Sequence, residues 1–200
     1  MGSVAGQEQA TWDPPILVGE RVVLRRHRVE DLAHVQRWYG DPEVSRLTRY
    51  TVRPMDRAEV ERYFRTRLLS AGSLAYGIHL RESERLIGLT TFSALDPENG
   101  SVLFHITIGE HDCWGQGYGT EATRLMLALA FERFGLNRVG LSVFDFNERA
   151  IRSYLKAGFT LEGRLREAIA RDGRRWDELQ RGILRHEWRA RMADLPPVDG

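Results

Sequence analysis

Residues 114–121 read W-G-Q-G-Y-G-T-E, and from Ala122 to Gly135 apolar residues recur at helical spacing. This is a glycine-rich turn feeding a helix just after an apolar strand, an arrangement that chelates a pyrophosphate through backbone amides. The first four N–H groups of a helix lack partners within it, and the helix dipole places partial positive charge at that end. Gly115, Gly117 and Gly119 remove the Cβ atoms that would hold an anion away, and they permit positive φ.

Upstream of the turn, Arg21–Arg26 (R-V-V-L-R-R) reads as a first strand. A helix capped by Glu30 or Asp31 follows, with Leu32, Val35, Trp38 and Tyr39 at helical spacing, and Asp41-Pro42 breaks it. A second helix runs from about Asp56 to Ala71. Ala75–Leu80, Leu86–Leu95 and Ser101–Ile108 have strand character and are separated by turn chemistry, which predicts an antiparallel meander.

Downstream, the helix after the turn carries Ala122, Leu125, Met126, Leu129, Ala130 and Phe134 on one face. Arg138–Phe144 is the next strand. Asn147 caps a helix bearing Ile151, Tyr154 and Leu155, which Gly158 ends. Thr160–Ile169 and Asp177–Leu184 are strands joined by Arg171-Asp172-Gly173, and Arg185–Ala193 is a short terminal helix. The order predicts an α+β fold: a mixed, mostly antiparallel sheet of about seven strands between helical layers. Residues 1–15 read as a mobile tail, 16–190 as one domain and 191–200 as a frayed end.

Composition narrows the function. The 29 basic and 28 acidic residues leave a net charge of +1, which gives no global field toward nucleic acid or an acidic membrane. Cys113 is the single cysteine, so no internal disulfide forms and a reducing cytoplasm is the expected compartment. No apolar run approaches membrane-spanning length, and Gly6 at the sixth position argues against myristoylation. No metal site is read from the sequence.

Two nucleotide-binding patterns fail. A dinucleotide fold wants its glycines after the first strand of a βαβ unit with an acid about twenty residues on, and residues 138–144 supply none. A P-loop wants Gly-Lys-Ser/Thr, which is absent.

Three stretches carry a family resemblance: W-G-Q-G-Y-G-T-E-A at 114–122, N-E-R-A-I-R-S-Y-L-K-A-G-F at 147–159, and L-E-G at 161–163. Together they resemble the GNAT superfamily of N-acetyltransferases, and within it the RimJ/RimL-like branch. The family's turn, Arg/Gln-x-x-Gly-x-Gly/Ala, maps onto Trp114 through Gly119. Trp114 departs from Arg/Gln but is usual in that branch. Element order agrees from about residue 20 to 186, so the fold expected is the GNAT acyl-CoA N-acyltransferase fold.

The resemblance implies acetyl-CoA as co-substrate and a primary amine as acceptor, attacking the thioester directly through a tetrahedral intermediate. Amides of Gln116, Gly117, Tyr118, Gly119 and Thr120 would hold the CoA diphosphate. Ser101–Ile108 would splay from Arg138–Phe144, and the backbone of Phe104, Ile106 and Ile108 would bond the pantetheine arm as an added strand does. A strand amide would stabilise the oxyanion. Asn147 and Tyr154 lie two turns apart, about 10 Å along one helix face. Asn147 would bond the pantetheine arm, and Tyr154 would act beside the sulfur as general acid for the thiolate. Tyr154 also shares the apolar face with Ile151 and Leu155, as a purely packing residue would.

The general base is open. Some relatives place a glutamate where Ser142 stands. Glu167 and His105 are candidates, His111 is a weaker one, and a water chain would also serve. Cys113 reads as an inert small residue, since Asp112 beside it would raise its thiol pKa.

Residues 41–70 hold seven arginines (46, 49, 53, 57, 62, 65, 67) against five acids, in the region where the family builds its acceptor pocket. That balance favours a peptide N-terminus, or an amine bearing a carboxylate or phosphate, over a polyamine. A solvated helix face laced with i,i+4 pairs reads the same way. Two alternatives share every phosphate-binding residue: a catalytically silent acyl-CoA-binding regulatory module, and a transferase using another donor such as succinyl-CoA. Relatives commonly form homodimers, and nothing in this sequence specifies one.

Overall fold

The opening that positions the site comes from one pair of strands. In chain order the elements are β1 (Leu17–Val18), β2 (Val22–Arg26), α1 (Leu32–Tyr39), α2 (Pro42–Thr48), α3 (Arg57–Tyr63), β3 (Ala75–Leu80), β4 (Leu86–Asp96) and β5 (Ser101–Ile108). Then follow α4 (Tyr118–Ala128), β6 (Arg138–Phe144), α5 (Glu148–Ala157), β7 (Thr160–Arg171), β8 (Arg174–Leu184) and α6 (Arg185–Ala193). This is a computed structural model that describes residues 16–51 and 53–193. The expected tail, 1–15, and residues 194–200 of the expected frayed end lie outside the described residues.

The strands form one sheet in the order β1-β2-β3-β4-β5-β6-β8-β7. Neighbours are antiparallel except β5 and β6, which run parallel and pair at Ser101↔Arg138, Val102↔Val139 and Leu103↔Gly140. Past Leu103 the two separate, while β5 stays on β4 as far as Ile108↔Gly88 and β6 stays on β8 as far as Phe144↔Glu178. Each strand keeps its outer partner and loses its inner one. A V-shaped slot opens at the centre of the sheet.

Helices cover both faces. Val35, Trp38, Tyr39, Val60, Phe64 and Leu68 from the α1–α3 layer pack on Ala75, Leu86 and Leu89. Met126, Leu127, Tyr154 and Ala157 from α4 and α5 pack on Val22, Ile78, Phe104 and Val139 opposite. Each such large apolar side chain contributes about 1.5–3 kcal/mol when fully buried. The α+β, three-layer expectation holds.

Some details differ from the sequence reading. The sheet has eight strands rather than about seven, because Leu17–Val18 adds an edge pair on Leu24 and Val23. Two residues are too few to show alternation. Asp41-Pro42 both ends α1 and starts α2: the Asp41 carboxylate accepts from the amides of Glu43 (2.7 Å) and Val44 (2.9 Å), with Pro42 in the first turn. Asp31 accepts from the Arg28 amide (3.0 Å) inside a short 3-10 turn instead of capping α1. The last hairpin turns through Asp172 and Gly173 alone, at φ +52° and +71°, a two-residue turn that lengthens both strands.

Candidate active site

The glycine turn presents a bare helix end. Gly117, at φ +90°, is the N-cap residue of α4, and no side chain caps it. The opening amides of α4 therefore point outward without a partner of the helix's own. Gly115, Gly117, Gly119 and Thr120 line a cleft of about 1330 Å³; the side chains of Gln116 and Tyr118 turn elsewhere. The Gln116 amide side chain donates to the Asp112 carbonyl, and Tyr118 lies under the Arg21 guanidinium at 4.9 Å.

Arg21 and Glu121 brace the turn from behind, a pairing that no local pattern signals. Glu121 accepts from the amides of Arg21 (2.7 Å) and Val22 (3.1 Å) and from Arg21 Nε (3.2 Å), while Arg21 Nη1 donates to the Gln116 carbonyl at 3.0 Å. The acid in the first turn of α4 is thus spent on β2 and leaves the exposed amides facing the cleft. About a hundred residues separate the partners, so no local pattern could reveal them. Trp114 fixes the other flank. Its indole donates to the Ile108 carbonyl (2.7 Å), with His111 stacked on the ring at 4.0 Å and Arg149 over it at 3.7 Å.

The cleft continues into the slot between β5 and β6. The Gly109 amide bonds the Ile87 carbonyl on β4 (2.9 Å). By strand alternation, the backbone groups of Phe104, Ile106 and Ile108 then face the side that β6 has left. Tyr154 sits across this gap, edge-on to Phe104 (6.5 Å) and Phe159 (5.8 Å). It is buried yet lines the cleft, and burial pushes its phenol well above the usual value, so it stays protonated through neutral pH. Asn147 does cap α5, its Oδ1 accepting from the Ala150 amide at 3.2 Å, and its Nδ2 donates to the Leu47 carbonyl of α2 at 3.2 Å. That second bond ties the start of α5 to the α1–α3 layer.

The base candidates separate. His105 lines the cleft, with Nε2 2.7 Å from the Ser93 hydroxyl, and desolvation by the cleft walls holds its ring below the usual value and neutral. Ser142 lines the cleft as well and donates to Gln180 Oε1 at 3.1 Å. Glu167 is not among the cleft-lining residues. It occupies an exposed bulge of β7 at φ +54°, its amide donating to Asp177 (2.8 Å), because the register slips between Leu165 and Ile169. His111 stacks on Trp114 and faces Asp41 (3.5 Å) and Glu43 (3.9 Å), outside the cleft lining. Cys113 is buried; burial first, and Asp112 second, raise its thiol and keep it un-ionised. Among the described residues no group of three or more His, Cys, Asp or Glu could hold a metal ion, and no helix is long and apolar enough to cross a membrane.

A profile of the acetyltransferase (GNAT) domain matches residues 21–160. The chain is 27% identical over 175 residues to the uncharacterized N-acetyltransferase p20 of Bacillus licheniformis, covering 86% of this chain and 97% of that one. It is 29% identical over 168 residues to the uncharacterized N-acetyltransferase YoaA of Bacillus subtilis (strain 168), covering 82% and 93%. In three dimensions it resembles the spermidine N-acetyltransferase of Vibrio cholerae, solved with CoA and spermine, at TM-score 0.75 and 20% identity over 85% of this chain and 99% of that one.

Proposed function

The chain belongs to the GNAT family of acetyltransferases, with acetyl-CoA as co-substrate, and on that premise we propose that it moves the acetyl group directly onto a primary amine, in the manner of the RimJ/RimL-like branch. The observation that carries this reading is the alignment of two features along one cleft. The uncapped first turn of α4 opens into the slot where β5 parts from β6.

Each step then has a group of suitable chemistry. Amides of residues 116–120 grip the diphosphate, as free N–H groups and the helix dipole favour. The edge of β5 at Phe104 and Ile106, with the Ile108 amide, hydrogen-bonds the pantetheine arm and offers an amide to the developing oxyanion, the Ile108 carbonyl being already held by the Trp114 indole. The amine nitrogen forms a bond to the thioester carbon, the C–S bond breaks, and Tyr154 gives its phenolic proton to the departing thiolate. His105, neutral and on the cleft wall, takes the proton that the amine releases; Glu167 is dropped from that role because it lies off the cleft. Asn147 meets the arm near the start of α5 while holding α2 in place. The single buried thiol suits a reducing compartment, so we place the enzyme in the cytoplasm.

The test is thiol release from acetyl-CoA across a panel of amines, run with native protein and Tyr154→Phe. Turnover that the substitution cuts by about 100-fold or more supports transfer with Tyr154 as acid. Tight acetyl-CoA binding with no turnover on any amine would instead identify a silent binding module. Equal or better rates with succinyl-CoA would overturn the choice of donor.

A further inference from the structure

The charge lining the cleft is one-sided. Its ionised side chains are Arg49, Arg67, Arg149, Arg152 and Lys156, and among the described residues no aspartate or glutamate joins them. The five fall into two groups. Arg149, Arg152 and Lys156 lie along α5, which is tied to the glycine turn by the Thr120–Ser153 hydroxyl contact (2.9 Å) and by Arg149 over Trp114 (3.7 Å). These three, with the bare end of α4, face the phosphates of CoA, whose diphosphate and phosphomonoester together carry about four negative charges.

Arg49 and Arg67 stand apart, at the end of α2 and in the turn that continues α3. Neither has an ion-pair partner among the described residues. The carboxylates nearby are engaged elsewhere: Glu59 holds Arg53 at 2.6 Å, and buried Glu178 takes the Tyr50 hydroxyl (2.8 Å) and the Gln180 amide (3.0 Å). Arg49 is also held in place. Its guanidinium donates to the Thr51 hydroxyl (2.8 Å), and its carbonyl accepts from the buried guanidinium of Arg171. Two cations with no protein anion to meet, one of them anchored at the mouth of the cleft, form a receptor for an anion that CoA does not supply.

Resting on the acetyltransferase reading, we infer that the acceptor is a small amine that itself carries a carboxylate or phosphate, bound by Arg49 and Arg67. The same charge distribution opposes a polyamine, which would bring several cations against the cleft's five; the one carboxylate paired with them among the described residues, Glu148 on Arg152 at 3.1 Å, does not line the cleft.

The experiment compares matched acceptors by thiol release. L-amino acids are set against their amides, phosphoethanolamine against ethanolamine, and spermidine serves as the polycationic arm. The expected result is kcat/KM higher by about tenfold or more for the anionic member of a pair, with the favoured pair telling carboxylate from phosphate. Arg49→Gln and Arg67→Gln should erase that preference by raising KM for the anionic amine far more than for its neutral partner, with the KM for acetyl-CoA unchanged. Arg67→Lys should restore part of it. Equal use of both members, or a preference for spermidine, overturns the inference while leaving the transferase reading intact. No thiol release with any amine sinks the transferase reading and this inference with it.

Discussion

Replacing Gly117 by alanine sets fold and grip against each other. Gly117 sits at φ +90°, where a side chain is strained, and an added Cβ would lie 3.0 Å from the end of the Arg21 guanidinium. Holding a non-glycine residue in the left-handed region costs about 1–2 kcal/mol, and the flexible arginine can yield a few tenths of an ångström. For a domain of this size that lowers Tm by about 2–8 °C. If the backbone relaxes to relieve the strain, the first amides of α4 turn away from the cleft. Losing one hydrogen bond to a charged diphosphate weakens acetyl-CoA binding by about 1.5–3 kcal/mol, roughly 10- to 100-fold in Kd.

Gly119→Ala supplies the control. Its Cβ would meet Ile108 at 3.5 Å and Ser153 at 3.9 Å, ordinary contacts, and its φ is not positive. Alanine inside a helix gains up to about 1 kcal/mol over glycine, so Tm should rise by about 2–4 °C, and any loss of acetyl-CoA binding then reports a Cβ standing where the diphosphate sits rather than a weakened fold. Gly115→Ala, at φ +76° in open space, carries the strain without touching the first turn of α4, and separates lost stability from lost grip. Differential scanning fluorimetry and calorimetry with acetyl-CoA read the two quantities independently. A Gly117→Ala protein that keeps both the native Tm and the native acetyl-CoA affinity would refute diphosphate binding at this turn, since relieving the strain must turn those amides.

Tyr154→Phe should lower kcat by about 10²–10⁴ with acetyl-CoA affinity retained, as the proposed acid role of its phenol requires. Since burial raises that phenol above its ordinary value of 10.0, the native kcat profile should show no alkaline limb from Tyr154 below about pH 10, and an earlier limb would contradict the assignment. For His105 the folded pKa is lowered below 6.5, so the ring is a competent base at neutral pH and the acid limb of kcat/KM should fall below 6.5; His105→Gln should remove that limb along with most of the rate. The sign for stability agrees: the unfolded chain takes up the His105 proton first, so that contribution is present above pH 6.5 and is lost as pH falls below it, which acid melts of native and His105→Gln protein would compare. Glu121→Ala leaves the amides of Arg21 and Val22 without their acceptor and frees Arg21 from the turn; thermal unfolding should show a loss of about 2–3 kcal/mol, and a change within 0.5 kcal/mol, about the scatter of ordinary surface substitutions, would mean that water replaces the carboxylate.

What the chain reveals before folding tracks how local the physics is. The turn at 115–119, the caps at Asn147 and Gly158 and the meander are written in neighbouring residues, and the fold class follows from them. Tyr154 is singled out by the motif at 147–159, since its helix face alone reads equally as packing, and the folded chain puts both it and His105 on the cleft. Glu167 misled because a positive-φ bulge resets the alternation of β7, and no pattern of side chains announces it. Asp41-Pro42 reads as a stop, yet the same pair supplies the cap and first residue of the next helix. The Arg21–Glu121 brace, the Asn147–Leu47 tie and the hold of Arg171 on the Arg49 carbonyl join residues about 100 or more apart, so they exist only in the folded chain.

One connection accounts for both halves of the site. An antiparallel neighbour can follow through a short turn, but the parallel run of β5 and β6 requires a crossover, and α4 is that crossover. The helix must therefore begin beyond the C-terminal end of β5, where its free amides and positive dipole end point over the sheet. At that same end β5 and β6 have already diverged, leaving the β6-facing backbone of Phe104 and Ile106 without a strand to meet. An exposed strand edge normally invites pairing with other chains; here Trp114 stands against it at Ile108 and Tyr154 at Phe104. A diphosphate joined to a flexible amide-bearing arm satisfies both halves together. A compact mononucleotide would use the turn and leave the slot unfilled, and a peptide would pair with the slot and leave the turn without its anion.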